Sequence, residues 1–273
     1  MSEINVVNDR SAPIPNPKAL LGVRHKIVVM SGKGGVGKST VAVNLAAGLV
    51  KRGFSVGLLD ADIHGPSVPK LLGRPDEQLV VVNGRILPAS VLPRLKVISI
   101  AYIVEERDAP VIWRGPVKMG ALRQFIEDVE WGELDFLIVD LPPGTGDEPL
   151  SVAQLIPGAD GAVVVTTPQE VALISVRKSI RFAQLLGLKV LGLVDNMNGF
   201  VCPHCGEAAD GLGSSLAFQA AMDYQVPYLG KIPLDPQVAQ SGEAGRPFAL
   251  GDGPQAKAFE PIVDKIVDAV RGE

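Results

Sequence analysis

The sequence predicts an α/β protein with a doubly wound, mostly parallel sheet. Three observations carry that prediction. The apolar runs FLIVD (136–140), GAVVVTT (161–167) and KVLGLVDN (189–196) are continuous, as strands buried on both faces require. Between such runs lie stretches with apolar residues three and four positions apart, the spacing of helices that cover a sheet. A glycine-rich loop joins the first run to the first helical stretch. The 273 residues are long for one domain but suit a sheet covered on both faces. With 47% apolar and only 5% aromatic residues, the expected core is Val, Leu, Ile and Ala.

Residues 1–24 are polar, punctuated by proline, and read as a flexible N-terminal arm; residues 25–273 read as one domain without a linker. The first strand is expected over Lys26–Met30. The first helix is expected over Lys38–Lys51, apolar on most sides because neighbours cover it. Further strands are expected at Ser55–Asp60, Leu95–Ile100, Phe136–Asp140, Gly161–Thr167, Lys189–Asp195 and Tyr228–Ile232. Leu79–Pro93 interrupts the alternation, and Asn83-Gly84 between apolar stretches predicts an inserted hairpin. In Leu173–Leu186, Leu173, Val176, Ile180 and Ala183 make an apolar face opposite Arg177, Lys178, Arg181 and Gln184. The helix expected over Ala256–Arg271 sets Glu260, Asp264 and Asp268 against Lys257, Lys265 and Arg271. That mixture is not the basic amphipathic anchor that anionic lipid attracts.

Composition excludes several classes. The net charge is −4, from 26 basic and 30 acidic residues, and no segment is dominated by Lys or Arg, so no nucleic-acid partner is expected. No apolar run reaches the roughly 18 residues of a membrane span, and the N-terminus has no apolar signal core. A soluble, cytoplasmic protein with no membrane partner is expected. The only two cysteines, three positions apart, are no secreted disulfide framework.

The loop after the first strand, Ser31-Gly32-Lys33-Gly34-Gly35-Val36-Gly37-Lys38-Ser39-Thr40, satisfies G-x-x-x-x-G-K-[ST]. Glycines bring backbone close to phosphate, and successive N–H groups at a helix start form an anion-binding nest. Lys38 places a point charge on the β- and γ-phosphates, and Ser39 offers its hydroxyl to Mg²⁺. The loop therefore predicts a bound nucleoside triphosphate. A second lysine, Lys33, follows the first glycine.

Two strand ends carry carboxylates where α/β sheets bind ligands. In LLDADIHGPS (58–67), Asp62 is placed to orient or deprotonate the attacking water, or to cap a helix; Asp60 is placed to hold a water on Mg²⁺. His64 is given no catalytic role. In FLIVDLPPGTGD (136–147), Asp140 is the expected Mg²⁺-side carboxylate, though any strand can end in Asp before a proline turn. The Pro-Pro-Gly-Thr-Gly turn suits a sensor of the γ-phosphate.

The stretch FVCPHCG (200–206) carries Cys202 and Cys205 as a CxxC knuckle, read as a metal site before a redox pair. Two thiolates are half of what Zn²⁺ or an iron–sulfur cluster takes, and the chain has no other cysteine. A twofold dimer would bring two knuckles together and complete four sulfurs. His204, between the two, is read as outward-facing. The sequence leaves Zn²⁺ and cluster as alternatives.

GKGGVGKST, LDADIHGPS and IVDLPPGTGD together resemble the deviant Walker A branch of the P-loop NTPases, which holds nitrogenase iron protein, MinD and ParA. The resemblance implies a dimeric ATPase in which Lys33 crosses the interface to the partner's nucleotide. It implies that Asn196 contacts adenine and that Ile232-Pro233-Leu234-Asp235 lines the base pocket. With CPHCG added, the chain is similar to the Mrp/ApbC family of iron–sulfur cluster carriers. That implies a labile [4Fe–4S] cluster held across a homodimer, passed to apo iron–sulfur proteins, and governed by ATP with Mg²⁺ at a low basal rate. The N-terminal arm lacks the four-cysteine motif of eukaryotic cytosolic relatives and the small extra domain of many bacterial ones. The alternatives are a MinD- or ParA-like positioning ATPase and an ATPase with a structural zinc at the dimer interface.

Overall fold

The structure, a computed structural model, describes residues 18–102, 120, 122–124, 126–201, 208–209 and 216–272. A 3-10 turn at Lys18–Leu20 leads into β1 (Val23–Met30), so regular structure begins inside the stretch read as an arm. β1 leads to α1 (Lys38–Lys51), β2 (Val56–Asp60) and a short α2 (Val68–Leu71). The hairpin of β3 (Val80–Val82) and β4 (Arg85–Leu87) is where Asn83-Gly84 predicts it, and both turn residues have positive φ. β5 (Ala89–Leu92) and β6 (Leu95–Ser99) follow. Then come β7 (Leu134–Asp140), α3 (Asp147–Gln154), β8 (Gly161–Thr166) and α4 (Glu170–Leu185). β9 (Val190–Val201), β10 (Ala208–Ala209) and α5 (Leu216–Asp223) come next. The described part closes with β11 (Tyr228–Leu234), α6 (Pro236–Glu243) and α7 (Pro254–Arg271).

The main sheet runs β10-β9-β8-β1-β7-β2-β6-β5, with β11 also paired to β9. Its central pairs are parallel; β5 and β10 are antiparallel additions at its margins. Alternate residues serve two cores. Ile27 and Val29 of β1, Phe136 and Ile138 of β7, and Val163 and Val165 of β8 pack with α1 and α7. Val28 and Met30, Leu137 and Val139, and Ala162 and Val164 pack on the other face, with α3, α4 and α5. Burial on both faces explains the continuous apolar runs.

α1 is buried without a break from Val41 to Leu49, which is why it reads as apolar on most sides. α7 buries Phe259, Ile262, Val263, Ile266 and Val267 in the core, and its charged face binds α1 through Arg52–Asp264 at 2.5 Å. The apolar face of α7 is therefore inside the protein. Among the described residues no helix is long and apolar enough to cross a membrane.

β9 extends six residues past its expected end at Asp195. Met197 and Gly199 have positive φ, yet the backbone stays in the strand. The strand continues because β11 pairs with it out to Leu234↔Phe200 and β10 pairs at Phe200 and Val201.

Candidate functional site

The site lies at the C-terminal ends of the central strands. Ser31–Gly37 turns from β1 into α1, with Gly35 and Gly37 in the left-handed region at φ 78° and 81°. Gly37 is the N-cap of α1, which has no side-chain cap and no acidic residue in its first turn. The first N–H groups of α1 are therefore left to a ligand, and the helix dipole favours an anion there. Gly32 is required for another reason. A Cβ there would lie 2.7 Å from the Ser175 carbonyl carbon and 2.8 Å from its Cβ, so α4 packs directly on the loop.

A cavity of about 230 Å³ opens over the loop. Lys33, Gly34, Gly35, Gly37, Lys38, Ser39 and Thr40 line it, with Asp62 and Pro143 from the two carboxylate-bearing strand ends. Val36 is buried behind the loop. The predicted phosphate-binding residues are thus brought together with Asp62.

Lys38 reaches across the chain to Asp140. Nζ donates to Oδ1 at 2.7 Å and to Ser39 Oγ at 3.3 Å, with lysine and aspartate almost fully buried. Strand register sets Asp60 beside Asp140 on β2 and β7. Burial, then repulsion from Asp140, pushes the Asp60 carboxyl up from 3.8 to about 8. Burial also raises Asp140, against the pull of Lys38. Lys38 contacts Asp140 and not Asp60, so the Asp60 carboxyl is the less compensated of the two buried groups.

Among the described residues the other Asp140 oxygen, Oδ2, is buried with no hydrogen bond of ordinary length, and the Ser39 hydroxyl is the polar group that eases its charge. An orphaned hard oxygen beside Ser39 and a second carboxylate is a donor set that suits Mg²⁺, which takes one or two carboxylates and keeps its remaining sites for water and phosphate.

The two acidic loops are tied to the glycine-rich loop. Ala61 N donates to the Asp140 carbonyl at 3.0 Å and Gly144 N to the Ser31 carbonyl at 2.9 Å. Asp62 Oδ1 accepts from Gly65 N at 3.3 Å, a turn-capping bond, while Asp62 also faces the cavity. His64 pairs with Glu148 at 3.1 Å, on the surface between the same two loops. Lys33 Nζ donates to Gln169 Oε1 at 3.1 Å. No sequence pattern singles out Gln169; it is placed by the end of β8.

Asn196 and Pro233 sit on neighbouring strands, β9 and β11, outside the residues that line the cavity. Asn196 is buried and its Nδ2 donates to the Val36 carbonyl at 2.9 Å, bracing the loop from behind. Pro233 follows Ile232, which pairs with Asn196. Cys202 and Cys205 lie outside the described residues; β9 leads toward them through Val201.

Residues 22–267 match the family of NUBPL iron-transfer P-loop NTPases. The chain belongs to this family. An iron-sulfur cluster carrier protein of Methanocaldococcus jannaschii is 48% identical over 251 residues, 92% of this chain and 87% of the relative. The cytosolic Fe-S cluster assembly factor CFD1 of Kluyveromyces lactis is 42% identical over 262 residues, 93% of each chain. Among solved structures, a nucleotide-binding protein of Archaeoglobus fulgidus in complex with ADP superposes with a TM-score of 0.76 at 39% identity, covering 89% of this chain and 94% of that one. The cell division ATPase MinD of Pyrococcus furiosus shares the fold, with a TM-score of 0.64 at 23% identity over 89% of this chain and 98% of that one. The P-loop NTPase fold expected from the motifs is the fold observed.

Proposed function

We propose that this chain is an ATP-binding and ATP-hydrolysing carrier of iron–sulfur clusters. It holds a labile [4Fe–4S] cluster between the CxxC pairs of two copies and delivers it to apo-proteins. The observation that carries the nucleotide half is the buried Lys38–Asp140 pair beneath a glycine loop with a bare helix N-terminus. Membership of an iron-transfer family over residues 22–267 supports the cargo half.

In this reading the backbone of Gly34–Gly37 and the first turn of α1, with Thr40, cradle the phosphates. Lys38 leaves Asp140 for the β- and γ-phosphates. Asp140 and Ser39 would hold Mg²⁺, which would supply charge neutralisation across the phosphates, and Asp60 would face its water shell. Asp62, facing the cavity, orients the attacking water. Lys33 leaves Gln169 for the partner copy's nucleotide, where its charge offsets the charge that develops on the γ-phosphate. Asn196 and Pro233 belong to the adenine side. Cys202 and Cys205 supply one thiolate each, two per copy, to the cargo, so loading requires the homodimer.

The test is anaerobic reconstitution with iron and sulfide. It should give a visible cluster spectrum with about four irons per dimer, the stoichiometry of four thiolates around one cubane. Activation of an apo iron–sulfur enzyme should follow, with ATP changing the transfer rate. A protein that takes up only zinc, or whose cluster never leaves, defeats the proposal.

A further inference from the structure

β6, β2 and β7 are parallel neighbours, and their register places Ser99, Asp60 and Asp140 side by side at three strand ends. All three are fully buried. Ser99 Oγ accepts from Ala101 N at 3.2 Å and donates to Asp60 Oδ2 at 2.9 Å. A serine hydroxyl has one hydrogen and two acceptor positions; with the Ala101 N–H on one of them, it gives that hydrogen to Asp60 when Asp60 is ionised, the form that faces Mg²⁺. The other Asp60 oxygen, Oδ1, accepts from Asp62 N at 3.2 Å. Two donors on opposite sides thus pin a carboxylate whose terminal torsion is otherwise broad. Ser99 does not line the cavity.

We infer that Ser99 is a positioning residue for Asp60. It fixes the plane of that carboxylate so that Asp60 meets the water shell of Mg²⁺ without rearranging, and it never touches nucleotide. The inference rests on the assignment of Asp60 to the Mg²⁺ side. It adds a residue from a third strand to a site otherwise built by β1, β2 and β7. Alanine at 99 would leave Asp60 Oδ2 without its donor and its torsion free. Threonine would keep the hydroxyl.

The experiment is equilibrium binding of a fluorescent, non-hydrolysable ATP analogue to the intact protein, with and without Mg²⁺, alongside thermal melting. Ser99→Ala should keep its metal-free affinity and lose about tenfold of the enhancement given by Mg²⁺, the scale of one hydrogen bond to a charged group. Ser99→Thr should recover most of it. Ser99→Cys, of similar size and a poorer donor, should fall between and serves if the alanine variant does not fold. Asp60→Asn is run in parallel. If Asp60→Asn loses the enhancement while the Ser99 variants keep it and only melt earlier, Ser99 is structural and the inference fails. If Asp60→Asn also keeps it, the Asp60 assignment fails and takes the inference with it.

Discussion

Replacing Asp60 by asparagine isolates one proton. Asp60 is fully buried, with its carboxyl raised to about 8 by burial and by the neighbouring Asp140, against 3.8 when exposed. Below about pH 4, folded and unfolded chains both carry that proton, and the stability it confers is fully present. From about pH 4 to about pH 8 only the folded chain keeps it. Stability follows the protons bound in the unfolded minus the folded state, so the sign is negative. The folded state loses about 1.4 kcal/mol per pH unit as pH rises through this window. Asparagine keeps the shape and polarity of neutral Asp60 and cannot titrate. The assay is urea unfolding of the nucleotide-free, metal-free protein and of Asp60→Asn at pH 5, 6, 7 and 8, subtracting one stability from the other. Lys38 pairs with Asp140 and not with Asp60, so the substitution leaves that pair's partners in place. The difference should swing toward the asparagine variant by about 3 kcal/mol between pH 5 and 7, two units at that slope. Parallel stability curves would refute the reasoning, since they would mean Asp60 is already ionised in the folded protein.

Lys38→Ala should abolish nucleotide binding and lower nucleotide-free stability by about 3 kcal/mol at neutral pH, because it strips a buried carboxylate of its cation; titration with nucleotide and urea unfolding measure the two losses. Lys33→Ala should change stability by less than about 0.5 kcal/mol, since its contact with Gln169 is exposed. It should still bind ATP but hydrolyse it at least about tenfold more slowly, the effect of withdrawing one charge from the transition state; equal loss of binding and turnover would exclude action across the dimer. Phe259→Ala should cost about 3–5 kcal/mol in urea unfolding, because the ring is fully buried on α7 beneath the sheet.

Much of the site was legible in the sequence. The glycine loop, both strand-end aspartates and the hairpin at Asn83-Gly84 depend on neighbours a few residues away, and local conformation writes itself into residue type. Asn196 was harder. Its amide donates to the Val36 carbonyl, closing the loop from below, a contact beside the adenine role that the resemblance implies. A buried amide in reach of a backbone carbonyl makes that bond, and nothing adjacent in sequence announces it. The extra length of β9 was hidden for a similar reason, since a turn-like stretch stays extended when strands on its flank pair with it.

Residue order alone shows that a glycine-rich loop leads into a buried helix, that carboxylates end two apolar strands, and that Cys202 and Cys205 lie three positions apart. Backbone freedom, strand burial and ligand spacing are short-range demands, satisfied by the residues that carry them. The fold sets Lys38 on Asp140, raises the Asp60 carboxyl through burial beside Asp140, and adds Ser99 to the row. Those facts depend on the register among β6, β2, β7 and β1, strands far apart in the chain. Packing of two cores against one sheet sets that register, and no local pattern encodes it. The charges of the nucleotide site are therefore written locally, while their protonation and pairing belong to the fold.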